Sequence, residues 1–225
     1  MNKSPAHLHS DTDAAKPRWE RRKDARPHEL LSAALTLFVE KGYAATRLED
    51  VAKQAGVSKG TLYLYFDNKE ELFKAVVTEH ISPALNLAET MIENFTGHSR
   101  ELIKNVMDGW WQQVGSTPLA GLCKLVMAES SHFPEIARFY HDVVIDRAHK
   151  MIRSMIHRGQ QRGEVRADID EDHMAHVLCS PMVMLMIWHH SFDCCVAEPI
   201  DNQRYLAQYL ELTLHGLLIN SANTH

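Results

Sequence analysis

The chain has 225 residues, 45% of them hydrophobic and 24% charged, with a net charge of −5. These proportions fit a soluble globular protein and exclude bulk disorder, a collagen-like repeat and a disulfide-stapled miniprotein; 10 Gly and 8 Pro argue against a loop-rich all-β fold. The average hides an asymmetry, because residues 1–74 carry +2 and residues 75–225 carry −7, so a small basic front and a larger acidic back are expected to meet different partners.

Residues 1–19 are mostly polar and are expected to be a disordered tail. The run 16–26 holds six basic and two acidic residues, either a solvated lead-in or an arm laid along a phosphate backbone or into a minor groove. Leu31, Ala34, Leu35 and Phe38 then repeat at helical spacing, with Pro27 suited to the first turn and Gly42 to the stop. Leu48, Val51, Ala52 and Ala55 give a short second helix. Thr46-Arg47-Leu48-Glu49 reads as its capping box and Gly56 as its end. Ser58 caps a third helix whose inner face is Leu62 and Phe66. Asn68 caps a fourth, expected to run to about Ile81 and to stop before Pro83. Further helices are expected over 84–95, 100–114 and 118–131, along the stripe from Ile136 to Ile156, and over 172–192 and 202–219, with a tail at 220–225.

The informative segment is Thr46 to Leu72. Two short helices joined by the turn Ala55-Gly56-Val57-Ser58 make a helix-turn-helix pattern, whose second helix is free to enter a DNA major groove. At 100° per residue, Leu62 and Phe66 point inward, while Gly60 and Leu64 point away, flanked by Thr61 and Tyr63. The outward face therefore reads small, hydroxyl, aromatic and aliphatic, the last suited to a thymine methyl. Lys59, the Thr46 hydroxyl, Arg47, Lys69 and the long Tyr65 side chain are placed to meet phosphate.

LEDVAKQAGVSKGTLYLYFDNKEELF also resembles the DNA-binding signature of TetR/AcrR-type transcriptional regulators, over about Pro27 to Thr78. The resemblance implies an all-α fold: a three-helix DNA-binding domain, here 20–80, and a larger helical bundle, here 81–219, that dimerises and binds an effector. It implies a homodimer on a palindromic double-stranded operator. It puts Thr46, Arg47, Ser58, Lys59, Gly60, Thr61, Tyr63, Tyr65 and Lys69 near DNA, while Leu64 replaces the polar residue often found at its position. The segment GLCKLVMAESSHFPEIARFYHD is more loosely similar to AcrR/AefR-like members. The function expected is that of a repressor released when a small, moderately hydrophobic ligand binds the carboxy-terminal part.

Trp110, Trp111, Met127, Met155, Met182 and Trp188 are candidates to line that ligand's pocket, since methionine adapts to loose apolar sites. The 15 histidines and Cys123, Cys179, Cys194 and Cys195 lack convergent metal spacing, so no metal, cofactor or catalytic group is expected. Cysteines without paired spacing and the lack of a signal peptide suit a cytoplasmic protein with reduced thiols. The stretch from His173 to Phe192 lacks Asp, Glu, Lys and Arg, yet holds four histidines and Pro181. It is expected to be a buried interface helix, paired with 202–219 and their copies in a four-helix bundle, and not a membrane span. The rivals are a metal or redox sensor on the same DNA-binding scaffold, and a helical enzyme or small-molecule carrier with incidental resemblance.

Overall fold

A computed structural model describes residues 18–219, and over that range the chain is helical, joined by short turns and one isolated antiparallel bridge between Val165 and Leu218. The helices are α1 (Arg18–Lys41), α2 (Leu48–Gln54), α3 (Lys59–Tyr63), α4 (Lys69–Asn94), α5 (Ser99–Trp110), α6 (Ala120–Glu129), α7 (Pro134–Tyr140), α8 (Asp146–Gln161), α9 (Glu171–His189) and α10 (Asn202–Leu217). A π turn, Trp111–Gly115, prolongs α5, and a second, His141–Ile145, joins α7 to α8 in one rod. The tails expected at 1–19 and 220–225 fall outside the described residues, except that Arg18 and Trp19 already belong to α1.

Two expectations about helix ends are corrected. Helix α1 begins at Arg18, so Pro27 lies inside it and the backbone of the basic run is helical from Arg18 onward. Helix α4 does not stop before Pro83 but continues to Asn94, absorbing the separate helix expected at 84–95. Proline removes one backbone donor and crowds the preceding turn, a cost of about 3 kcal/mol inside a helix. Here Pro83 and Glu79 lie on the exposed side, where water can serve the freed carbonyl, while Ile81, Ala84 and Leu85 are buried against the body. Packing of that stripe outweighs the local preference.

Helix α4 therefore joins two parts of the molecule. Its Phe73 ring meets Phe38 of α1 at 5.6 Å and Tyr43 at 5.7 Å. Farther along, Glu89 accepts two hydrogen bonds from Arg147 of α8, at 2.9 and 2.7 Å. Around it, α1 also packs on α6, α8 on α9 and α5, and α10 on α9.

A polar knot fixes the turn between α4 and α5 against the turn after α8. The buried Ser99 donates its amide (2.8 Å) and hydroxyl (2.6 Å) to Glu164 Oε2, and Arg162 Nε donates to Oε1 at 2.8 Å. Arg158 holds the carbonyls of Phe95 and Gly97 at 3.1 and 2.9 Å. Burial opposes the Glu164 charge, but the Ser99 and Arg162 hydrogen bonds outweigh it and hold the carboxyl down at about 2, against 4.5 unperturbed. A carboxylate lowered on folding stabilises fully above its unfolded value and ceases to do so as pH falls through the folded one. Glu164→Gln is thus expected to destabilise by about 1.5–3 kcal/mol at pH 7, the worth of a hydrogen bond to a charged group. Urea unfolding followed from pH 7 to pH 3 should show the gap closing progressively below pH 4.5. A gap that widens in acid would contradict this reading.

Candidate nucleic-acid interface

Helices α2 and α3 are too short to stand alone and are held by capping and packing. Val51 and Ala52 seat α2, and Leu62 is fully buried beneath α3. Between them Gly56 takes φ +66°, a left-handed conformation open to glycine at no steric cost, and the Val57 amide closes on the Ala52 carbonyl at 2.9 Å. Ser58 then caps α3, accepting the Thr61 amide at 3.1 Å, a contact worth about 1 kcal/mol. Asn68 does the same for α4 through the Glu71 amide at 2.9 Å.

With Leu62 inward, the opposite face of α3 is forced outward. Ser58, Lys59, Gly60, Tyr63, Leu64 and Tyr65 are exposed, and Thr61 is half-buried with its hydroxyl 2.8 Å from that of Ser58. Leu64 is 83% exposed. Phe66 lies beyond α3 and is partly buried against the core. Lys59 Nζ sits 2.5 Å from Glu49 Oε1 and 5.7 Å from the centre of the Tyr63 ring. The hydrogen bond from Lys59 lowers the Glu49 carboxyl, and the same bond raises Lys59. Both partners are solvated, so Glu49 can be exchanged for another anion at little cost. Arg47 is exposed and, among the described residues, has no carboxylate within 4.0 Å. The same is true of Lys53, which the periodicity did not single out; its place opposite Val51 and Ala52 on α2 was the available signal.

Two residues expected at phosphate are turned elsewhere. Thr46 is 1% exposed, and its hydroxyl donates to the Gly42 carbonyl at 2.7 Å, closing the end of α1; the residue before α2 is Arg47, with no side-chain cap. The expected capping box at Thr46 is therefore absent, because the last carbonyls of α1 need a donor as well. Lys69 donates to the carbonyls of Tyr43 (2.7 Å) and Ala44 (3.2 Å) and lies 4.5 Å from the Tyr43 ring centre. Burial lowers its pKa. It pins the loop ahead of α2 from inside. Lys69→Ala is expected to cost about 1–2 kcal/mol of stability, seen as a lower Tm. If DNA is bound, the variant should keep the slope of log affinity against log salt, whereas loss of a phosphate contact would reduce that slope by about one.

The same loop touches the rest of the molecule. Glu129 at the end of α6 accepts the Ala44 amide at 3.2 Å, and Phe133 meets the Tyr43 ring edge-on at 4.8 Å. Burial, aided by Glu135 and Glu70, pushes the Tyr43 phenol up to about 12.

The six pocket candidates are dispersed. Met155, Met182 and Trp111 are buried in the helical body, and Trp110 and Trp188 are half-buried. Trp188 Nε1 is a buried donor with no acceptor among the described residues. Met127 is 59% exposed, because Leu122, Leu125 and Val126 take the inner face of α6. A shallow pocket of about 200 Å³ lies between α4 and α8, lined by Glu89, Ile92, Glu93, Arg147, Lys150, Met151 and Ser154, none of them among the six. Among the described residues no three His, Cys, Asp or Glu side chains converge as a metal would require, and no helix is long and apolar enough to cross a membrane.

Comparison with known proteins places these parts. Residues 30–76 match the family described as bacterial regulatory proteins, tetR family, and residues 93–193 match the tetracyclin repressor-like C-terminal domain, together about two thirds of the chain. The transcriptional regulator YfiR of Bacillus subtilis is 36% identical over 72 residues, 32% of this chain and 35% of that protein. The transcriptional repressor KstR2 of Rhodococcus jostii is 24% identical over 87% of this chain and 92% of its own length. Among solved structures, FadR of Bacillus subtilis in complex with stearoyl-CoA superposes with a TM-score of 0.72 at 22% identity, over 84% of this chain and 98% of that one.

Proposed function

This chain belongs to the TetR family of bacterial regulatory proteins, and from that membership we propose that it is a cytoplasmic homodimeric repressor whose operator is released by a small hydrophobic effector. DNA-binding transcriptional regulation is the shared role of its relatives. The single observation that carries the reading here is the division of α3, with Leu62 fully buried and Gly60, Tyr63 and Leu64 on the surface, where Arg47, Lys53 and Lys59 are exposed as well. A packed helix with no external duty has no need of that outer face, whereas a major groove supplies both phosphate for the cations and base edges for the rest.

Dimerisation through α9 and α10 is supported by what they leave in water. Val177, Met184 and Leu212 are exposed on these two helices, Leu212 to 76%. Apolar side chains on one face can be covered by the same face of a second copy about a two-fold axis. Two α3 helices would then meet successive major grooves, about 34–36 Å apart.

The effector reading rests on continuity between the parts. Helix α4 runs from Phe73, packed on α1, to Glu89, bound to Arg147 of α8, and α6 ends on the loop before α2. A ligand that fits one arrangement of these helices better than another shifts the spacing of the heads by its difference in affinity. Of the apolar candidates, Trp188 carries the specific signal, a buried indole N–H that a ligand acceptor could satisfy, whereas Met127 faces water and lines nothing. A protein of this fold holds stearoyl-CoA. The test is selection of bound duplexes from a random pool, followed by a screen for compounds that displace them. An inverted repeat should be enriched, and its affinity should fall on the order of a thousandfold between 50 and 200 mM salt. Failure to enrich any duplex would overturn the reading.

A further inference from the structure

Leu64 is the most exposed large apolar side chain among the described residues, and it holds its place. Its backbone continues the helical path of α3 (φ −74°, ψ −18°) and its amide bonds to the Thr61 carbonyl at 3.3 Å. It stands about 200° around from the buried Leu62 and about 40° from Gly60, one turn earlier, so a residue without a side chain opens the approach to it. A single leucine in water is ordinary. One at the end of the helix offered to DNA, whose first residue is Lys59, is a different matter. Its helix neighbours supply the polar chemistry of this face, with the Thr61 hydroxyl 2.8 Å from that of Ser58 and Lys59 Nζ 2.5 Å from Glu49, a solvated pair that a phosphate can replace. Leu64 has nothing to give to a phosphate or to a hydrogen-bonding base edge, and pressing it on such an edge would strip water without return. The apolar group a base pair shows in the major groove is the 5-methyl of thymine.

From this we infer that Leu64 is a specificity-determining residue, seated on a thymine 5-methyl in each half-site. The inference rests on the DNA-binding reading above, and its test separates the two. Duplexes are first selected with the wild-type chain, and each thymine of the half-site is then replaced by deoxyuridine, which lacks only the methyl. At one position the loss should be about fourfold per half-site, the worth of one buried methyl, and over tenfold when both half-sites change. Placing 5-methylcytosine in place of cytosine at that position should recover part of it. Leu64→Ala should bind thymine and deoxyuridine duplexes equally, with an unchanged Tm because the side chain is exposed. Equal wild-type affinity for all deoxyuridine duplexes overturns the inference and leaves DNA binding standing. A Leu64→Ala variant that still prefers thymine at that position overturns it too, and a wild type that binds no duplex overturns both.

Discussion

Replacing Lys59 and Tyr63 together by alanine should weaken operator binding on the order of a hundredfold while leaving the fold intact. Each side chain reaches outward from α3, and each contact to DNA is worth about 1–3 kcal/mol when lost, so two of them, repeated in two half-sites, give at least that factor. Stability has little at stake. Lys59 is exposed and paired only with the equally exposed Glu49, and the Tyr63 ring is on the surface. Circular dichroism melts should superpose for wild type and variant, and titration of the selected duplex at fixed salt supplies the affinity. The Lys59→Ala component alone should lower the salt slope by about two, one for each half-site. Wild-type affinity in the double variant would mean that α3 is not the reading helix.

A second large effect is expected at the other end of the molecule. Val177→Glu combined with Leu212→Glu puts a carboxylate on each of two exposed apolar positions of α9 and α10. Around a two-fold axis each new charge meets an apolar face already carrying its own copy, and the association should fail. Light scattering should report the chain mass of 25.7 kDa instead of twice that value. Operator affinity should fall on the order of a hundredfold or more, because the second half-site would no longer be tethered to the first. The monomer should stay folded, since both positions already face water. A variant that remains dimeric and binds normally would place the interface elsewhere.

Much of this was legible in the sequence, and the failures have physical causes. Among the described residues periodicity located the main helices after α4, with α7 and α8 read as a single stripe, because a run such as Ile136, Tyr140, Met151, Met155 and Ile156 must be buried. Glycine at 42 and 56 marked helix ends correctly, since both adopt positive φ. Pro83 misled because local stiffness is a weaker force than the buried run of Ile81, Ala84 and Leu85 on the other side of the same helix. Thr46 and Lys69 misled for a different reason. A hydroxyl or ammonium near an expected DNA surface has two classes of partner, phosphate outside and backbone carbonyl inside, and spacing along the chain does not tell them apart. The carbonyls of Gly42, Tyr43 and Ala44 took both groups. The contacts of Glu129 and Phe133 with the loop before α2 had no sequence signal, because they join positions about 85 residues apart. The pocket candidates were chosen by residue type alone, and residue type does not say that Met127 falls on the outer side of α6.

Hydroxyl-radical and methylation footprints of the wild-type chain on its selected duplex show whether the segment opening at Ser58 lies in the major groove of DNA, and does so twice per dimer. Two protected patches related by two-fold symmetry are expected, with major-groove guanines shielded in successive grooves about 34–36 Å apart. Protection in one groove only, or the same pattern with and without the Lys59→Ala and Tyr63→Ala changes, would contradict that placement.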